Sequence, residues 1–331
     1  MKSTAAKGPT DFSIVIPSLN QGKFLGAAIA SLTGQRYPNV DILVVDGGSS
    51  DGTREVLESY GTAIRWISEP DEGQSHAIQK GMAMTEASWC SWLNADDVHL
   101  GNALFRVDQD IQTTPAADVV VGRGCYIDES GQRARPYPTI PIGESVDVAR
   151  ELFLKGYVAQ PSVFFRREAY ERVGGIDRRI VYAMDYDLWV RLAKSEARFA
   201  FVDEELSGNR WHANTKTSRG MLELLSEVVT IQLREYGIVS PYFVQAVSDA
   251  LYSLFHSRSR GDSCHLLFRW LYFKAVWTWL NYQKPLYLIR GLATQTIAMS
   301  GPLVGDRFDT RALIHYAARG LSGRLKGRMK L

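Results

Sequence analysis

Between residues 12 and 93 the chain repeats one pattern: a run of four or five mostly apolar residues, a polar loop, then a helix-like stretch. The runs are Phe12–Ile16, Ile42–Val45, Ile64–Ile67 and Trp89–Leu93, and the stretches between them are Leu25–Leu32, Arg54–Tyr60 and Ser75–Met84. Short apolar runs that do not alternate with polar residues predict strands buried on both faces, as in a parallel sheet covered by helices. The expected fold class is therefore α/β, a doubly wound, mostly parallel, Rossmann-like sheet. In such sheets ligands bind beyond the carboxyl ends of the strands. The unusual residues of this chain fall there: Pro17-Ser18-Leu19-Asn20, Asp46-Gly47-Gly48-Ser49, Glu69-Pro70-Asp71-Glu72-Gly73 and Asn94-Ala95-Asp96-Asp97.

The pattern continues more loosely. A strand is expected over Asp118–Val121, followed by a Gly-, Pro- and Tyr-rich passage from 122 to 143 that reads as an irregular loop or a small hairpin over the sheet edge. Then come Ser162–Phe165, a helical Arg167–Val173, the Gly174-Gly175 break, a helix starting near Asp185, and a strand at Phe199–Asp203. After about Thr217 the texture changes to long helical segments, Leu222–Tyr236 and Pro241–Phe255, then the aromatic-rich Leu266–Tyr282. The expected organisation is a flexible 1–11, a catalytic-type domain over 12–217, and a helical, basic region over 218–331. With 331 residues, 45% of them hydrophobic, the chain has enough apolar material for a large core plus an appendage.

Charge divides the chain more sharply than its total of +2 suggests. From Arg258 onward thirteen Lys or Arg face three acids, a formal +10, which leaves −8 on the rest. A basic tail on an acidic body predicts an anionic contact, with a membrane surface or a second protein copy ahead of nucleic acid, for which no motif is present. Leu266–Tyr282 is too short and, with Arg269 and Lys274, too charged for a membrane span. It suits an interfacial helix or a helical subdomain equally well. Three widely spaced cysteines make neither a disulfide framework nor a metal knuckle, and the polar first residues carry no apolar signal core. The expected location is cytoplasmic, with the cytosolic face of a membrane as the site of any peripheral attachment.

Adjacent carboxylates after an apolar run, as in Trp92-Leu93-Asn94-Ala95-Asp96-Asp97, are most often a turn or a helix cap, but they are also what a hard divalent cation needs to sit against a diphosphate. Asp46 to Thr53 follows a buried strand and opens a helix: its glycines allow close approach of a ligand, and Asp46 offers acceptors to a nucleobase or ribose. Asp51 or Ser50 is the expected helix cap. The spacing lacks both the dinucleotide G-x-G-x-x-G and the phosphate loop G-x-x-x-x-G-K, which disfavours a nicotinamide dehydrogenase or a P-loop enzyme. A sugar nucleotidyltransferase would carry a Gly-rich, basic loop after the first strand, and Pro17–Gly22 is not one.

These segments, with Ile14-Val15-Ile16-Pro17-Ser18-Leu19-Asn20, Asp71-Glu72-Gly73-Gln74 through Lys80-Gly81, Gly174-Gly175-Ile176-Asp177 and Met184-Asp185-Tyr186-Asp187-Leu188-Trp189-Val190-Arg191, resemble the ordered motifs of the family 2 glycosyltransferases of GT-A fold. The resemblance covers roughly residues 11 to 217. It implies inverting transfer from a nucleotide-diphosphate sugar, a UDP- or dTDP-sugar by family habit, to a glycan or lipid-linked acceptor in polysaccharide assembly, with Mn2+ or Mg2+ as cofactor. By position it makes donor-binding candidates of Pro17, Ser18, Asn20, Asp46, Asp71, Gln74, Lys80, Asn94 and Asp96, with Ser18, Asn20 and Asp46 toward the nucleoside, Asp71 near the base and Asp96 at the ribose. Asp97 becomes the metal ligand. Asn94 stands where the family has an acid, and Met184-Asp185 where it has Glu-Asp.

Inversion needs a base on the acceptor hydroxyl and charge stabilisation on the leaving diphosphate from the other side of the sugar. Asp185, at a helix start, is the expected base, with Asp187 as competitor. His212, in Arg210-Trp211-His212, is a candidate for the metal or the diphosphate, and Lys216 or Arg219 for neutralising phosphate oxygens. His76 is expected as a pocket wall or solvated helix residue, Gln160 as an acceptor contact or a strand entry, and Trp92 as the tryptophan nearest a ligand. The rival from another class is a non-catalytic nucleotide-sugar-binding or membrane scaffold protein.

Overall fold

The computed structural model describes residues 8–142, 146–156, 158–212, 215–216, 220–256, 276–277 and 281. The chain divides into two compact units, Met1–Arg219 and Gly220–Leu331. The first is built on a nine-stranded sheet: β1 (Phe12–Ser18), β2 (Val40–Asp46), β3 (Arg65–Ser68), β4 (Trp89–Trp92), β5 (Val98–His99), β6 (Val119–Ile127), β7 (Arg133–Pro136), β8 (Val163–Arg166) and β9 (Phe199–Arg210). Its order is β3-β2-β1-β4-β8-β6-β9-β5, with β7 paired to β6.

Strands β3, β2, β1 and β4 are mutually parallel. Two antiparallel steps, β4 to β8 and β8 to β6, restore that direction in β6, and β9 runs parallel to β6. The carboxyl ends of β1 to β4, β6 and β9 therefore open on one edge. Pro17 fits inside a central strand because β4 pairs with β1 only as far as Val15, so the missing N–H lies beyond that ladder.

Helices α1 (Gly22–Thr33), α2 (Thr53–Ser59) and α4 (Ala103–Thr113) cover one face of the sheet. Leu25, Ile29, Leu57 and Leu104 pack there with Phe12, Ile14, Ile16 and Phe164 in one core. On the other face lie α3 (Gln74–Ala83), α6 (Arg167–Arg172) and α7 (Met184–Lys194). There Trp92 stacks on Trp189 of α7 with ring centroids 5.4 Å apart and planes 13° apart. An offset aromatic pair of this kind adds about 1 kcal/mol to its burial energy. Helix α3 comes down closest at Gly81, where a Cβ would lie 2.4 Å from Val15 Cγ1. A short α5 (Val148–Leu154) and a 3-10 turn at Gln160–Ser162 precede β8.

Of the two forms expected after Val121, the structure has the small hairpin, β6 pairing antiparallel with β7. Strand β6 continues to Ile127 beside an extended β9, with register shifts around Arg123. Gly122 makes room for Leu206 and Gly124 for Ala159, since added Cβ atoms would lie 2.2 and 2.7 Å from them. Bulges break the period of two on which a strand reading depends.

In the second unit α8 (Met221–Tyr236) ends at Gly237, whose positive φ of 73° closes the helix through an N–H bond to Leu233 O. It is followed by α9 (Pro241–His256), and Val229, Val239, Val244 and Val276 form a small core. Among the described residues no helix is long and apolar enough to cross a membrane. Apart from 276–277 and 281, the Leu266–Tyr282 segment and the basic residues after it lie outside the described residues, as does Arg219.

Candidate active site at the carboxyl edge of the sheet

The loops after β1 and β2 are tied together by short polar side chains. Asn20, at φ 53°, donates its N–H to Ser49 Oγ and accepts the Ser50 N–H on Oδ1. Asp51 takes the N–H of Gly22 on one oxygen and the N–H and hydroxyl of Thr53 on the other, so one carboxylate caps both α1 and α2. Desolvation opposes its charge, but these bonds prevail and hold its carboxyl below the usual range.

Asp46, expected toward the nucleoside, is held inside its own loop. It is fully buried and its two oxygens already receive the Gly48 and Ser49 N–H groups and the Ser49 and Ser68 hydroxyls. Its task is to shape the glycine loop. Gly47 uses its bareness: a Cβ there would lie 3.0 Å from Asp71 Oδ2 and 3.3 Å from Leu19 Cδ1. Asp71 Oδ1 accepts the Gly73 N–H at 2.7 Å, leaving Oδ2 toward Gly47 and the exposed Leu19. Ser18 ends β1 nearby, its buried Oγ without a partner among the described residues. Lys80, expected at the donor, is instead paired with Glu69 six residues down α3 from Gln74, about 9 Å along the axis.

The acidic pair is built differently from the expectation too. Asp97 is buried, with Oδ1 accepting the Arg210 N–H at 2.8 Å and Oδ2 the Asn94 amide at 2.9 Å. Desolvation, then repulsion from Asp96, raise its pKa well above the ordinary carboxylate value. Asp97, expected as the metal ligand, thus has a protein hydrogen bond on each oxygen. Asp96 is the carboxylate left at the crevice, one fifth exposed, with Oδ2 3.1 Å from His212 Nε2. His212 rests on Phe24 of α1, ring centroids 5.0 Å apart.

Arg210, to which the sequence pattern assigns no role, organises this corner. Its guanidinium donates to Asp96 O, Asp128 O and Glu129 O and lies over Phe24. A buried arginine satisfying carbonyls has no sequence signature; only its place between β9 and a histidine hints at it.

Asn94 joins the corner to the opposite wall. Its amide donates to Asp97 and to Gln160 Oε1, and its Oδ1 accepts from Gln74 Nε2 at 2.7 Å. Gln74 Oε1 in turn accepts from Lys216 Nζ at 2.9 Å, and Lys216 also lies 5.4 Å from the Tyr182 ring. Gln160 is buried, donates to Trp92 O, and thus supports the strand end. Trp92 is core, stacked on Trp189. His76 accepts the Glu72 N–H as a local cap.

On that wall Asp185 begins α7, half-buried, with Oδ1 accepting the Tyr186 N–H. Desolvation raises its pKa, Asp187 adds to the rise, and the Tyr186 N–H and Lys216 oppose it. Asp187, the competitor, is fully buried and gives Oδ2 to the Nε and Nη2 of Arg191, which also ties down Val173 O and Gly175 O. It is a brace for the Gly174-Gly175 turn. Met184 is buried with its sulfur against Ser75 Oγ, which also donates to Ile180 O, so α3 and the start of α7 are pinned together.

A cation would meet Asp96 and His212 here, and among the described residues no group of three His, Cys, Asp or Glu side chains could hold one. Two protein ligands with open positions fit a hard cation that arrives with a diphosphate and keeps water.

This sheet, with its edge of carboxylates and one imidazole and its mixed-direction second half, is a GT-A glycosyltransferase fold. It matches S. aureus TarS 1-349 solved with UDP at a TM-score of 0.55 and 16% identity, covering 91% of this chain and 95% of that one. It matches the mannosyltransferase PcManGT of Pyrobaculum calidifontis, solved with GDP-Man and Mn2+, at 0.53 and 14%, covering 91% and 85%. Residues 13–174 match Glycosyl transferase family 2. An uncharacterized glycosyltransferase of Rickettsia conorii is 28% identical over 207 residues, 61% of this chain but only 34% of the relative. A PGL/p-HBAD biosynthesis glycosyltransferase of Mycobacterium bovis is 27% identical over 191 residues, 56% of this chain and 71% of the relative.

Proposed function

We infer that the protein is an inverting glycosyltransferase that moves a sugar from a nucleotide-diphosphate donor to a hydroxyl of a glycan or lipid-linked acceptor. The observation that carries this reading is the Asn94–Gln74–Lys216 hydrogen-bond chain, which runs from the turn bearing Asp96 and its His212 partner to a lysine whose charge acts on the desolvated Asp185 carboxyl. Asp185 takes the proton from the acceptor hydroxyl as its oxygen bonds the anomeric carbon, while the bond from that carbon to the diphosphate oxygen breaks on the opposite side. Asp96 and His212 would hold Mn2+ or Mg2+, whose charge, when bound, stabilises the departing diphosphate. Lys216 adds a second positive charge toward the same oxygens. The single free acceptor at Asp71 Oδ2 suits the imide N–H of uracil or thymine, which favours a UDP- or dTDP-sugar. The cytoplasmic setting, with the basic 258–331 region against an anionic membrane, belongs to the same proposal and rests on the segregation of charge.

Thermal-shift titration with nucleoside diphosphates, with and without Mn2+, tests donor and cation together. The expected result is a stabilisation by UDP or dTDP that the cation strengthens and that Asp96→Ala loses. Wild-type binding with neither sugar transfer nor donor hydrolysis would favour the non-catalytic scaffold reading.

A further inference from the structure

At the carboxyl ends of β6 and β9 stands a group of aromatic rings that the donor-side chemistry does not use. Trp211 is 50% exposed, and its N–H continues the ladder by donating to Ile127 O at 2.9 Å. Its ring meets Tyr126 edge-on, centroids 6.0 Å apart at 85°. Tyr126 lies against Tyr137 at 5.0 Å and beneath the Arg135 guanidinium at 4.1 Å. Arg210 and His212 both meet Phe24 of α1, whereas Trp211 between them meets Tyr126 instead.

We propose that Trp211, with Tyr126 and Arg135, is the platform on which a saccharide acceptor stacks. The proposal rests on the transferase reading above and names the acceptor class as carbohydrate. A pyranose ring has one apolar C–H face and a rim of hydroxyls. An exposed indole offers the flat apolar partner, and the neighbouring phenol and guanidinium offer polar ones. A surface for a protein or an acyl chain would extend the apolar area, whereas here the flanking β7 residues Arg133–Pro136 are all exposed and include two arginines. The ring is already held by Tyr126 and by the ladder, so little side-chain freedom is lost on stacking. The position adjoins the proposed donor side, since Trp211 is followed directly by His212, the partner of Asp96.

The test uses the full-length enzyme with a panel of mono- and disaccharide glycosides, read by saturation-transfer NMR, and by acceptor KM wherever transfer is seen. At least one glycoside is expected to bind the wild type in the millimolar range with saturation strongest on ring C–H protons. Trp211→Ala should weaken it roughly tenfold or more, and Trp211→Phe should restore most of the loss. Arg135→Ala, a surface change, should weaken binding in the same direction. Thermal shifts by nucleoside diphosphates should stay as in the wild type, so that failure of this platform is distinguishable from failure of the donor site. Equal saccharide binding by wild type and Trp211→Ala, or no binding of any panel member to the wild type, would overturn the proposal.

Discussion

Asp185 sits at α7 in a state the folded protein does not favour. Its pKa is raised above the unfolded value of 3.8, so the folded state binds the proton more tightly, and stability declines as pH rises through the window between the two values. Above that window the ionised form remains a burden on the apo fold. Asp185→Asn should therefore raise the apparent melting temperature at neutral pH, since Asn Oδ1 can still accept the Tyr186 N–H. The same variant should cut turnover by about 10²–10⁴. Scanning calorimetry and initial rates on one preparation check both, and near-normal turnover would remove Asp185 as the base. In the wild type the acidic limb of the rate profile should lie above the ordinary carboxylate range. Arg210→Ala has the opposite character. It abandons three backbone carbonyls and should destabilise by about 3 kcal/mol while weakening nucleotide binding through the Asp96 turn. At this scale the sequence reading was uneven. Motifs pointed to Asp46, Asp96 and Asp97, but which of their oxygens are engaged depends on partners as distant as 113 residues for Arg210 and Asp97 and 116 for His212 and Asp96.

Among elements, the most demanding contact is that of α3 on β1. Its amino end carries Gln74 and its last turn is pressed on the sheet at Gly81, so the seating of α3 on the sheet bears on where Gln74 meets Asn94. Gly81→Leu should force the helix outward, destabilising by about 1–3 kcal/mol through overpacking. It should also weaken donor binding more than a surface mutation of equal ΔΔG, and urea melts with nucleotide titration separate the two effects. The four parallel strands were legible because each is a short apolar run ending in an unusual loop. The outer half was less so. Val98–His99 is only two residues long, and β6 and β9 pass through bulges where glycines serve as spaces for Leu206 and Ala159. Tertiary packing, not local pattern, makes those segments strands.

For the molecule as a whole, acid should act through His99 before the ordinary carboxylates titrate. Burial between β5 and the Gln160–Ser162 turn lowers its pKa from 6.5 to about 4, with the Pro161 carbonyl opposing the shift. The unfolded chain takes up a proton that the folded one refuses, so stability present above pH 6.5 is lost as pH falls toward 4. The loss amounts to about 3 kcal/mol from this one group. Denaturation midpoints across that range should fall less steeply for His99→Gln, whose amide can still reach Pro161 O; parallel curves would exclude His99 as the cause. The charge segregation of the chain bears on the second unit in the same global sense, by setting what it meets and not how it folds.

The bare α-carbon at position 47 gives donor choice an unusual lever. Because Asp71 leans into room that any side chain there would occupy, a one-codon change to alanine displaces the hydrogen-bonding group without replacing it. Under the proposed reading of Asp71 as the base contact, Gly47→Ala would alter nucleotide preference through that one distance alone, away from the groups proposed for transfer.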